Sequence, residues 1–99
     1  MNHTIEYVKV SKSNIIELQI KEALNKIERK FDWVVSAEVF IEKENDKTGK
    51  GKICKIKLNT PGLQIFASSN DYTFKTAVLK TQKELERQLK RVRNVNFVF

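Results

Sequence analysis

The sequence holds one cysteine, one histidine, one proline and three glycines in 99 residues, and each scarcity removes a class of explanation. A single Cys makes no disulfide framework, and one Cys with one His cannot build a metal centre from clustered Cys and His ligands. The same scarcity leaves no Ser, His and Asp set and no Cys and His pair to activate a nucleophile, so neither an enzyme nor a cofactor is expected. Gly49 and Gly51 lack the loop length, the following Lys with Ser or Thr, and the helix of a phosphate-cradling loop. No stretch approaches roughly 18 consecutive apolar residues, the length that a membrane span needs. Residues 1–10 show no basic flank followed by an apolar run, so the expected location is the cytoplasm. The triplet Asn2, His3, Thr4 spells a glycosylation acceptor, but without a secretory signal it carries no chemistry.

What the chain does have is charge and a sufficient core. Hydrophobic residues make up 40% and charged residues 31%, with a formal net charge of +7. One small α+β domain is expected, with any cleft shallow, because a chain of this size buries only about two thirds of its unfolded surface. Cys54 reads as a small buried apolar residue. The first 49 residues are close to neutral, and the positive excess lies beyond them. Lys50, Lys52, Lys55 and Lys57 meet no acid over residues 50–60, and seven further bases face only Asp71, Glu84 and Glu86. A one-sided basic field attracts polyanions, of which phosphate backbones are the commonest in a cytoplasm. The competing reading is a solvated surface that serves solubility.

Hydrophobic periodicity orders the elements as β, α, β, β, β, α. Residues 3–10 suit a strand. From Ser13 or Asn14, either able to cap, Ile16, Ile20, Ala23, Leu24, Ile27 and Phe31 recur at helical spacing, and Asn14 with Glu17 resembles a capping box. Val35, Ala37, Val39 and Ile41 alternate with Ser36, Glu38, Phe40 and Glu42, the pattern of a half-buried strand. Residues 45–51 form a polar turn. Cys54, Ile56 and Leu58 alternate with Lys55 and Lys57, and Pro61 with Gly62 suits a type II turn into a short strand over residues 63–68. Asn70 or Asp71 can cap a last helix whose inward residues are Phe74, Ala77, Val78, Thr81, Leu85 and Leu89. Three consecutive antiparallel strands form a meander, and both helices are expected on one face of a four-stranded sheet. The domain is expected to span residues 1–94, followed by a short apolar end, residues 95–99, which is expected to dock on it.

At about 100° per residue, Lys80, Lys83, Arg87 and Arg91 fall on one side of the last helix, opposite Val78, Leu85 and Leu89, with Lys90 at the edge. This basic rail is about three turns long. Side chains projecting along it can meet successive phosphates, which supplies affinity without reading sequence. Ordinary helix-surface pairs such as Lys80 with Glu84 are the alternative. A second candidate surface is the outer sheet face, where Phe40 and Phe66 stand beside Lys55 and Lys57. Aromatics on an open sheet stack unpaired bases, but Glu38 and Glu42 there repel a phosphate backbone.

The chain resembles the ribosome hibernation promoting factors, a family that includes the ribosome-associated inhibitor and is also described as sigma factor modulation proteins. The likeness covers nearly the whole chain. It is most specific in Lys57, Leu58, Asn59, Thr60, Pro61 and Gly62, in Leu85, Glu86, Arg87, Gln88, Leu89 and Lys90, and in Lys26, Ile27, Glu28, Arg29, Lys30, Phe31 and Asp32. The resemblance implies a domain similar to double-stranded RNA binding domains, lying on the small ribosomal subunit where messenger and transfer RNA would go. It implies a stress-response factor that silences translation by occupancy and contacts ribosomal RNA through Lys80, Lys83, Arg87, Lys90 and Arg91. Lys26, Arg29 and Lys30 are the corresponding candidates on the first helix. Where the family often has an acidic residue and an aromatic before the Ala of the last helix, Thr73, Phe74, Lys75 and Thr76 precede Ala77, and Asp71 and Tyr72 take those parts in shifted positions. Ending at Phe99, the chain is expected to be a short form, monomeric when free, with the ribosome as partner and no membrane or small-molecule substrate. The rival readings are a general double-stranded RNA binding module and a protein interaction module regulating transcription.

Overall fold

The computed structural model describes residues 1–96 and contains six elements: β1 (Asn2–Val8), α1 (Asn14–Lys30), β2 (Ser36–Lys43), β3 (Lys52–Thr60), β4 (Leu63–Asp71) and α2 (Phe74–Asn96). Their order is the one expected. The strands form a single four-stranded sheet in chain order, β1 parallel to β2 and the other pairs antiparallel. A parallel neighbour cannot be reached by a hairpin, so α1 makes the crossover between β1 and β2.

The alternation read from the sequence decides which side of the sheet is buried. Ala37, Val39 and Ile41 of β2, Cys54, Ile56 and Leu58 of β3, and Ile65 and Ala67 of β4 point to one face. There they meet Ile16, Ile20, Ala23, Leu24 and Ile27 of α1 and Ala77, Val78, Leu85 and Leu89 of α2. Each large side chain so buried contributes about 1.5–3 kcal/mol. Burial also pushes the Cys54 thiol up to about 12, against a weaker opposing effect of Thr81, so it is an inert core group. Thr81, buried in α2, donates its hydroxyl to the carbonyls of Ala77 and Cys54, tying helix to sheet.

Several boundaries differ from the sequence reading, each for a local reason. β1 ends at Val8 because Lys9 takes a left-handed conformation (φ 60°) that breaks the strand. The cap of α1 is Ser13, whose side chain accepts from the Ile16 N–H, so the box drawn from Asn14 to Glu17 is one residue out of register. Val35 precedes β2 and is 59% exposed, while Val34 is buried. β4 continues to Asp71, since Ser69, Asn70 and Asp71 pair with Cys54, Ile53 and Lys52. These polar residues are strand because β3 lies beside them. The cap of α2 is therefore Thr73, whose hydroxyl accepts from the Thr76 N–H, and not Asn70 or Asp71. Val95 lies in α2 and is 72% exposed, so it does not dock; Phe97, Val98 and Phe99 fall outside the described residues.

The turns are built by the glycines. Pro61 and Gly62 join β3 to β4 with Gly62 at φ +77°, as the second central position of a type II turn requires. Gly51 sits at φ +120°, where an added Cβ would lie 2.2 Å from the Glu44 carbonyl oxygen.

Candidate nucleic-acid interface

Both helices pack on one face of the sheet, so they lie side by side, and their outward flanks meet across a groove. The last turns of α1 supply Lys26, Arg29 and Lys30. The middle of α2 supplies Leu79, Gln82, Lys83 and Glu86, and together these line an open groove of about 600 Å³. A second depression of about 270 Å³ continues it, lined by Lys30, Phe31, Lys83, Glu86, Arg87 and Lys90. Sharing Lys30, Lys83 and Glu86, the two form one trough. The structure thus gathers the α1 candidates and most of the α2 rail around a single concavity, a juxtaposition that spacing along either helix alone does not show.

Ion pairing sorts these cations into two groups. Lys30 bridges the trough to Glu86 at 2.7 Å. Arg87 presents two donors to Glu84, Nε to Oε2 at 2.9 Å and a terminal nitrogen to Oε1 at 2.7 Å. That fork, with the Gln88 amide, holds the Glu84 carboxyl below its usual range, and Glu84 in turn raises the Arg87 guanidinium. Lys80 pairs with Asp71. By contrast Lys26, Lys83 and Lys90 have no carboxylate partner among the described residues, Arg91 feels Glu84 only through space, and Arg29 donates only to the Asn25 carbonyl, at 3.4 Å. These are the charges free to meet an anion without first breaking a pair. Lys80 reaches the end of β4 at Asp71, while Lys83 and Lys90 stand at the trough.

The floor of the trough was not legible as a site. Leu79 and Gln82 border the inward stripe of α2 and read as helix packing. Gln82 is buried, donates to Glu86 at 3.4 Å, and its carboxamide oxygen has no donor within reach. Arg93, which also lies outside the rail, stacks over the Phe31 ring at 5.1 Å and closes the end where α1 stops.

Lys55 and Lys57 are not part of this assembly. They stand on the opposite face of the sheet, Lys55 on Glu42 at 2.9 Å and Lys57 on Glu38 at 3.5 Å. Phe40 and Phe66 share that face as expected, with Phe66 exposed and paired in register with Lys57. Glu38 and Glu42 balance these two lysines, so the pair adds no net positive charge to this face. No group of three or more His, Cys, Asp or Glu able to hold a metal occurs among the described residues, and no described helix is long and apolar enough to cross a membrane.

The arrangement can bind a string of phosphates along α2 and across to α1. Compared with known proteins, the chain matches over residues 3–95 the family described as Sigma 54 modulation protein / S30EA ribosomal protein. Among solved structures it is similar to a ribosomal subunit interface protein from Coxiella burnetii, with 21% identity over 93% of this chain and 98% of that one and a TM-score of 0.77. It is also similar to the N-terminal domain of Protein Y from Thermus thermophilus, with 21% identity, 94% and 100% coverage and a TM-score of 0.79. At that identity the two structures establish the fold. No curated protein matches the sequence.

Proposed function

Because the chain belongs to the Sigma 54 modulation protein / S30EA ribosomal protein family, we propose that it is a hibernation factor that binds ribosomal RNA of the small subunit and blocks the messenger and transfer RNA sites by occupying them. The supporting observation is the trough between α1 and α2, where Lys26, Lys83 and Lys90 are unpaired and Lys30 and Arg87, themselves exposed, are held by half-buried carboxylates. An ion pair whose cation stands in solvent contributes little, and that cation can exchange its carboxylate for phosphate. The description of the Coxiella protein as a subunit interface protein fits the same position for this chain.

On this reading the work is done by binding alone. Lys80, Lys83, Arg87, Lys90 and Arg91 meet phosphates along one side of α2, and Lys26, Arg29 and Lys30 grip the RNA from α1. The acid-and-base-paired outer sheet face points away from it. No bond is made or broken, and the free protein acts as a monomer.

Sedimentation of purified ribosomes with the protein at low and moderate salt tests this. The protein is expected to travel with the small subunit and the whole ribosome and to be released as salt rises, with a logarithmic slope of about −0.7 to −0.9 per phosphate contact. Reversing Lys83→Glu and Arg87→Glu together is expected to weaken binding roughly tenfold or more while leaving the circular dichroism unchanged, since both side chains lie outside the core. Unaltered binding by that variant overturns the assignment of the trough. Equal affinity for an isolated RNA duplex makes the protein a general duplex binder instead.

A further inference from the structure

The basic track on α2 does not end at Lys80. The Lys80 ammonium is paired with Asp71, the last residue of β4, and the next residue is Tyr72, whose side chain is 57% exposed at the junction between β4 and α2. The backbone and the ring of Tyr72 each have neighbours. Its own backbone N–H donates to the Asp71 carboxylate at 2.7 Å. Against the ring edge lies Gly49 of the turn between β2 and β3, so close that a Cβ there would stand 3.5 Å from the ring. Over the ring lies the Lys50 ammonium, 5.5 Å from the centroid.

An exposed aromatic with a cation beside it is the arrangement on which an unpaired base stacks while its phosphate finds counter-charge. The carboxylates nearby do not oppose it. Asp71 is buried and neutralised by Lys80, and Asp46 is turned back into its own loop, accepting from the Thr48 N–H and hydroxyl. Phe66, the other exposed aromatic beside a lysine, lacks this quality, since Lys57 is spent on Glu38.

We propose that Tyr72 is a stacking platform for an unpaired base of the bound RNA, with Lys50 on a phosphate beside it. This rests on the trough being an RNA interface, and it adds a contact that recognises a base splayed out of the helix to contacts that read only backbone charge.

The test compares wild type, Tyr72→Ala and Tyr72→Phe on purified small subunits across a salt series, with chemical probing of base reactivity in the RNA. Tyr72→Ala keeps the backbone bond to Asp71 and alters no core residue, so it is expected to fold normally. It is expected to lose affinity about 5- to 150-fold, the range for one stacked base, with an unchanged salt slope. Tyr72→Phe is expected to bind as wild type. One base is expected to be protected by wild type and Tyr72→Phe and exposed with Tyr72→Ala. Affinity of Tyr72→Ala within twofold of wild type overturns the proposal, as does a loss of affinity with no base changing reactivity, which would assign the ring to a protein neighbour. A reduced salt slope would overturn it too, since the ring would then act only by holding Lys50. Failure of the α2 reading is a separate outcome, recognised by normal binding of the Lys83→Glu, Arg87→Glu variant.

Discussion

Asp71 is buried at the end of β4, where the Lys80 ammonium first and the Tyr72 N–H second hold its carboxyl below the usual value near 3.8. A group depressed in the folded state contributes stability that is fully present above its unfolded value and is lost as pH falls through the folded one. Wild type is therefore expected to be more stable than Asp71→Asn at pH 7, the two converging as pH is lowered well below 4; thermal melts across that range measure it. The glycines make a second contrast at this scale. Gly62→Ala has open space and only the left-handed strain at φ +77° to bear, about 1 kcal/mol. Gly51→Ala must also move the Glu44 carbonyl out of a 2.2 Å contact. It is expected to cost at least about 2 kcal/mol, a fall in Tm of roughly 8 °C or more. Equal melting of the two variants would refute the distinction. Gly62 was legible from its place after Pro61, but the demand on Gly51 was not, because Glu44 meets it only across the hairpin.

The rail on α2 was readable residue by residue, since helical spacing puts Lys83 and Arg87 on one side whatever the rest of the chain does. How much of that charge is free could not be read from spacing. Glu84 was seen as a neighbour of the stripe, yet only the folded rotamers show it forked onto Arg87, and Glu86 meets Lys30 from a different helix, 56 residues away in sequence. On the proposed reading these two carboxylates compete with RNA for the cations they hold. Glu84→Gln and Glu86→Gln are each expected to tighten ribosome binding and to steepen the salt slope by up to about 0.7 to 0.9. Weakened binding by both would mean that the pairs orient the cations for phosphate and do not withhold them.

At the scale of the whole molecule the sheet divides the charges. Lys55 and Lys57 belong to the same basic run as Lys50 and Lys52 in sequence, but strand alternation turns them outward, to a face where Glu38 and Glu42 of the neighbouring strand neutralise them. The helical face keeps the unpaired cations and the trough. Sequence by itself determined the element order, the inward stripes of both helices and the alternation of β2 and β3, because those follow from local periodicity and the need to bury apolar side chains. It also determined that the positive charge beyond Gly49 would dominate. Only the tertiary structure decided that β4 extends to Asp71, that α1 and α2 share one groove, and that Tyr72 lies against Gly49 and Lys50. Each depends on which segments lie side by side, and a pairing between distant residues leaves no period in the chain that forms it.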